Sequence, residues 1–174
     1  MSLIHWLLVV TASCLAVATP AAALDPKNEV RISGWHVFTA MTEFHGLSCQ
    51  AHRCDRQNCQ DPKTRVLLKL WGSQNRNAVT PVLDFGRSIP DDSSASANIS
   101  GISFAFSRSK LKGSVKLVPT NASDDKAFIA AVQEAALADR RAKLIVSSPL
   151  GSHKIKLQGL PEVLAYFEQY CSIR

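Results

Sequence analysis

Ile102-Ser103-Phe104-Ala105-Phe106-Ser107 and, beyond a basic turn, Ser114-Val115-Lys116-Leu117-Val118 both alternate apolar residues with small or polar ones. Successive side chains of a strand point to opposite faces, so the two phenylalanines share one face and Lys116 lies opposite Leu117. Just downstream the period changes. Ser123-Asp124-Asp125 has the composition of a helix start, and Phe128, Ile129, Val132, Ala135 and Ala136 recur at helical spacing. The pattern predicts a helix through Arg140, with acidic residues at its start and Arg140-Arg141 at its end.

Past that helix, Leu144-Ile145-Val146 and Lys154-Ile155-Lys156-Leu157 predict a hairpin across Pro149-Leu150-Gly151-Ser152. Pro161 suits the first position of a second helix reaching Cys171, with Val163, Leu164, Phe167 and Cys171 on its buried face. Upstream, Val30 to Thr39 reads as a first strand with Gly34-Trp35 near its middle. Thr42 to Pro62 reads as a disulfide-tied loop. Val66, Leu68 and Leu70 fall on one face of a strand, Val79 to Phe85 is a weaker strand, and Gly86 to Asn98 reads as an exposed loop. The sum is an α+β fold, mainly antiparallel and sandwich-like, with two helices in the C-terminal half.

The first residue of fixed charge is Asp25. Before it, Leu3 to Val17 is largely apolar and ends at Pro20-Ala21-Ala22-Ala23, where Ala21 and Ala23 meet the small-residue requirement of signal peptidase. Residues 1–23 therefore read as a signal peptide and 24–174 as a single disulfide-stapled globular domain, periplasmic or secreted. Two alternatives stay open: an uncleaved anchor, since about 20 apolar residues span a bilayer, and lipid modification at Cys14. His5 is the only basic residue before Asp25. No second apolar segment follows, so no transmembrane segment is expected after cleavage.

Without Cys14, the cysteines are Cys49, Cys54, Cys59 and Cys171. An even number in an oxidising compartment predicts two disulfides, with three possible connectivities. Three cysteines crowd together and the fourth is distant, so one bond must tie Cys171 to the N-terminal region. The same region sets His45, Cys49, His52, Cys54 and Cys59 close in sequence, a set of zinc or copper ligand types. The spacing matches no common pair of zinc ligands, and disulfides compete for the thiols, so no metal or cofactor is assigned.

Catalytic signals are equally sparse. No Gly-x-Ser-x-Gly elbow frames a serine, and Ser152-His153 follows a turn without further support. Asp91-Asp92 reads as loop and Asp124-Asp125 as helix start, so no catalytic residue is assigned.

The net charge of +6 points instead to a surface. Arg108, Lys110 and Lys112 crowd one turn, and Arg140, Arg141 and Lys143 follow the long helix. Lys116, Lys154 and Lys156 stand on the polar side of alternating strands, forming an anion-binding surface if those strands are neighbours, or else a solvated outer face that keeps the protein soluble. Suitable partners are an anionic polymer or an envelope or host surface component. Nucleic acid is disfavoured, because aromatic residues do not interleave with these charges. The expected function is an exported, non-enzymatic binding or accessory protein acting through a basic surface. The alternative is a small extracytoplasmic hydrolase or inhibitor whose site assembles only in the fold, marked by a pocket with a histidine beside Ser or Asp.

From Phe104 to Phe167 the chain also resembles the invasion-associated locus B family of exported bacterial proteins. The resemblance rests on the Asp124-Asp125-x-x-Phe128 helix, on Ala142 to Ser148, and on Lys154 to Phe167, where Leu157, Gly159, Leu160, Val163 and Leu164 occupy comparable places. Trp35 resembles the family's early tryptophan, whereas the four cysteines do not map onto its pattern. The resemblance implies a β-sandwich-like periplasmic or secreted protein linked to host-cell interaction, and transfers no catalytic residue.

Overall fold

The computed structural model describes residues 29–42, 46–55, 65–86, 89–90, 92–109, 116–121 and 123–173. The expected signal peptide, His45, Cys59, Lys110 and Lys112 lie outside the described residues.

Among the described residues, ten strands form one sheet: β1 (Val30–Ile32), β2 (Trp35–Thr42), β3 (Gly46–Cys54), β4 (Leu67–Ser73), β5 (Ala78–Asp84), β6 (Ser94–Ile99), β7 (Ile102–Arg108), β8 (Lys116–Pro119), β9 (Lys143–Ser148) and β10 (Gly151–Lys156). Helices α1 (Asp124–Ala138) and α2 (Leu160–Cys171) complete an α+β fold of mainly antiparallel character. The spatial order is β1-β2-β3-β4-β5-β8-β7-β6-β9-β10, and every pairing is antiparallel. The sheet bends back in sandwich-like fashion until β10 approaches β3.

Both helices lie on the inner face. Leu68, Leu70 and Leu83 are fully buried there with Trp35, Val37 and Cys49, as the alternation requires. Phe128 of α1 meets Phe104 and Phe106 edge-on, at ring separations of 5.3 and 5.4 Å, a favoured aromatic geometry. The stripe on α2 buries Val163, Phe167 and Cys171, and Leu164 packs at its margin. Cys171 is bonded to Cys49, fixing α2 over β2, β3 and β4. Gly72 is directly opposite Cys49 in the ladder. A Cβ there would run into Ile173 Cδ1 and stand 3.0 Å from the Phe167 ring, so the glycine makes room for the close approach of the helix end.

Several boundaries differ from the sequence reading. Val30 to Thr39 is a hairpin rather than one strand. Ser33 and Gly34 have φ of 48° and 88°, and Ser100-Gly101 repeats the arrangement at 50° and 86° between β6 and β7. Two consecutive left-handed residues form the tight turn whose twist suits an antiparallel hairpin. The span expected as a disulfide-tied loop contains β3, and the expected exposed loop contains β6 up to Asn98. In β6 the inward positions are Ala95, Ala97 and Ile99, whose alternation with Ser94, Ser96 and Asn98 is real but carried by small residues.

Helix α1 starts without a side-chain cap from Ser123, which is itself helical at φ −66° and ψ −22°. The preceding turn supplies the contacts: Asn121 O accepts from the Asp124 N–H, and Asn121 Nδ2 donates to Asp124 Oδ2. The helix ends at Ala138, before Arg140, because Asp139 is extended and its carboxylate accepts the Arg141 N–H at 2.8 Å. Arg140 and Arg141 thus belong to a turn.

Candidate functional site

The outer face of β2 to β5 and β8 is built by the residues between the core positions. The pairing register places His36, His52, Lys69, Val82 and Val118 in one cross-strand row. Phe38, Gln50, Trp71 and Thr80 form the next row. Together with Arg76, in the β4–β5 turn, and Ser109 and Lys116, these rows, apart from His36, border a groove of about 730 Å³, within the size range of small-molecule sites.

Its floor is unusual for an outward sheet face. Phe38 and Trp71 are half-buried there, and Val82 is buried. Three described lining residues are cations, Lys69, Arg76 and Lys116, and none is a carboxylate. Lys69 Nζ contacts Asp84 Oδ2 at 2.5 Å just beyond the groove. Burial pushes the Asp84 carboxyl up, but hydrogen bonds from Lys69 and the Gly86 N–H, with the charges of Lys69 and Lys116, hold it below the usual range. One lysine charge is thereby offset.

His52 lies between these charges and an aromatic ladder. Its ring stacks on His36 at 4.9 Å and contacts Phe38 at 5.3 Å. Burial, then the neighbouring His36 and Lys69, lower its pKa to about 4. The ring is therefore neutral at pH 7, and a base of such low pKa abstracts protons poorly at neutral pH. His36 in turn meets Glu29, with 2.5 Å between Nδ1 and Oε1.

The three lysines expected to share a surface do all face outward, but the sheet separates them. Lys116 on β8 borders the groove, whereas Lys154 and Lys156 are on β10, with β7, β6 and β9 between. Four strand spacings amount to about 19 Å in a flat sheet. Lys156 is instead directly opposite Lys143, so β9 and β10 present a second, separate cluster of three exposed lysines, Lys143, Lys154 and Lys156.

Of the row of possible metal ligands, Cys49 is consumed by its bond to Cys171 on the inner face, and His52 projects from the outer face. Those two cannot converge on one ion. Cys54 is also disulfide-bonded. Of the basic turn, Arg108 reaches inward, donating to the Ile89 carbonyl at 2.6 Å. Asp92 is exposed, and Asp124 begins α1.

A buried histidine–aspartate pair does exist. His153 Nδ1 is 2.8 Å from Asp55 Oδ2, and Nε2 is buried without a hydrogen-bond partner among the described residues. The pair joins β10 to the end of β3 and borders neither the groove nor the cleft of about 540 Å³ between α1 and α2. Nearby, the Gln158 carbonyl accepts from both Trp35 Nε1 and Arg53 Nη1. These contacts close the sheet, which is a structural use of His153 and of Trp35.

The groove residues Lys69 and Trp71 were signalled in the sequence by parity, since they alternate with Leu68 and Leu70. His36 and Phe38 alternate likewise with Trp35 and Val37. What no pattern gave was that β2, β3, β4, β5 and β8 are consecutive in the sheet. No helix among the described residues is long and apolar enough to cross a membrane. No protein-family model, curated protein or solved structure matches this chain.

Proposed function

We propose that this chain is an exported, non-enzymatic binding or accessory protein that recognises an anionic ligand on the outer face of its sheet. The observation that carries the reading is the groove, where Lys69, Arg76 and Lys116 gather around an aromatic floor with no carboxylate among the described lining residues. Excess positive charge over a concave, partly apolar surface raises the local concentration of anions. The disulfide between Cys49 and Cys171 accords with an oxidising compartment. The resemblance to the invasion-associated locus B family points the same way, toward an envelope or host surface component as partner.

The test is binding to heparin and to lipopolysaccharide at increasing salt, comparing two variants. Arg76→Gln/Lys116→Gln removes groove charge, and Lys143→Gln/Lys154→Gln/Lys156→Gln removes the β9–β10 cluster. Binding should weaken with salt, as attraction screened over about 8 Å must, and should fall further in the groove variant. Equal binding by the parent and both variants would refute a charge-based surface.

A further inference from the structure

The groove is more than a charged patch, and its layout restricts the ligand. Arg76 belongs to the turn before Ala78, and Lys116 is paired with Asp84 at the far end of β5. Six residue steps along a strand cover about 20 Å. The cations therefore stand toward opposite ends, and the space between them is floored by Phe38, Trp71, Val82 and Val118. Hydroxyl-rich ligands such as neutral glycans need many hydrogen-bonding side chains along their length. Here only Gln50 and Thr80 supply neutral polar groups to the central row. Half-burying a tryptophan and a phenylalanine on an outward face creates apolar area that a dissolved anion such as phosphate cannot cover.

Resting on the binding reading above, we propose that the ligand is a single dissolved amphipathic anion. Its elongated apolar body would lie along the Trp71–Val82 floor, and its carboxylate or phosphate would be met by Lys116 or Arg76. Charge complementarity places the head group, and burial of apolar surface supplies the driving force that the two cations alone lack. The volume of about 730 Å³ accommodates an acyl or aryl body.

The experiment uses dodecanoate below its micelle-forming concentration, with dodecanol, inorganic phosphate and phosphatidylglycerol vesicles as separate arms. Titration calorimetry of the full chain should show saturable one-site binding of dodecanoate. It should also show binding at least tenfold weaker for dodecanol and none for phosphate. The Arg76→Gln/Lys116→Gln variant should bind dodecanoate at least tenfold more weakly with an unchanged melting temperature. A fluorescence change on binding should disappear in Trp71→Phe. The proposal is overturned if dodecanoate fails to bind or dodecanol binds equally well. It is also overturned if the double variant is unaffected, or if the protein binds vesicles but not the free amphiphile. Salt-dependent heparin binding without dodecanoate binding would sink this proposal and leave the anion-binding reading standing. Failure of both would sink both.

Discussion

The two faces of β2 to β5 come from the same residues read in alternate steps, yet they have opposite chemistry. Inward, Trp35, Val37, Cys49, Leu68, Leu70 and Leu83 are covered by helices and almost inaccessible. Outward, His36, Phe38, His52, Lys69 and Trp71 are aromatic or basic and only partly covered. The inner face is explained by burial alone. An outward tryptophan and phenylalanine beside three cations are not, because solvent-facing sheet positions are commonly polar. On the proposed function, stability and recognition fall to different parities of one set of strands, and they should respond to mutation independently.

The largest test of that separation is the disulfide. Replacing Cys49 and Cys171 with Ser opens a loop of sequence separation 122. It should cost about 5 kcal/mol in the chain-entropy model, measured by urea unfolding. Ligand affinity, measured where the variant remains folded, should stay near the parent value. A large affinity loss there would mean that the faces are coupled.

Next is Gly72→Val. The added side chain meets Ile173 and the Phe167 ring. Ile173 Cδ1 is a movable tip, but the Phe167 ring is fully buried, so overpacking should cost about 1–3 kcal/mol. A neutral result in thermal unfolding would show that α2 is free to shift on the sheet.

A smaller effect concerns pH on the outer face. Folded His52 binds its proton only near pH 4, whereas an unfolded histidine does so near 6.5. Between those values the unfolded state holds more protons, so stability falls as pH drops through 6.5 toward 4 and levels off below. With the ring partly open to solvent, the contribution is on the order of 1 kcal/mol. His52→Gln should flatten the stability profile in that window, and an unchanged slope would show that burial on the outer face does not hold the ring neutral.

The smallest expected effect is that of Lys116→Gln, an exposed site, with a stability change under about 0.5 kcal/mol. A larger loss in chemical denaturation would mean that the charge of Lys116 beside Asp84 contributes to the fold and not to the groove alone.

How much of this was legible in the sequence depended on the strength of each local signal. The alternation of Ile102 to Ser107 and the stripe of Phe128, Val132, Ala135 and Ala136 were plain, and they fixed β7 and α1. Strand β6 was hidden because Ser and Ala alternate with little contrast in hydrophobicity. Strand β3 was hidden because its cysteines and histidines suggested a loop. The Ser-Gly dipeptides at 33–34 and 100–101 did carry turn information, which the apolar residues around the first one obscured. The groove itself depends on strand order. Lys116 joins Lys69 only because β8 is seated beside β5, and Lys154 is excluded because β7, β6 and β9 intervene. Such order is set by long-range packing, which no local pattern encodes.

The bond from Cys49 to Cys171 also has a consequence in time. The ribosome makes β3 early, but the helix that covers its inner face and the thiol that locks it emerge 122 residues later. Asp55 waits for His153, and Arg53 waits for Gln158. A partly synthesised chain therefore has no means of completing its core. Because contacts so distant in sequence form slowly, the nascent polypeptide should stay open and threadable until β10 and α2 have been made.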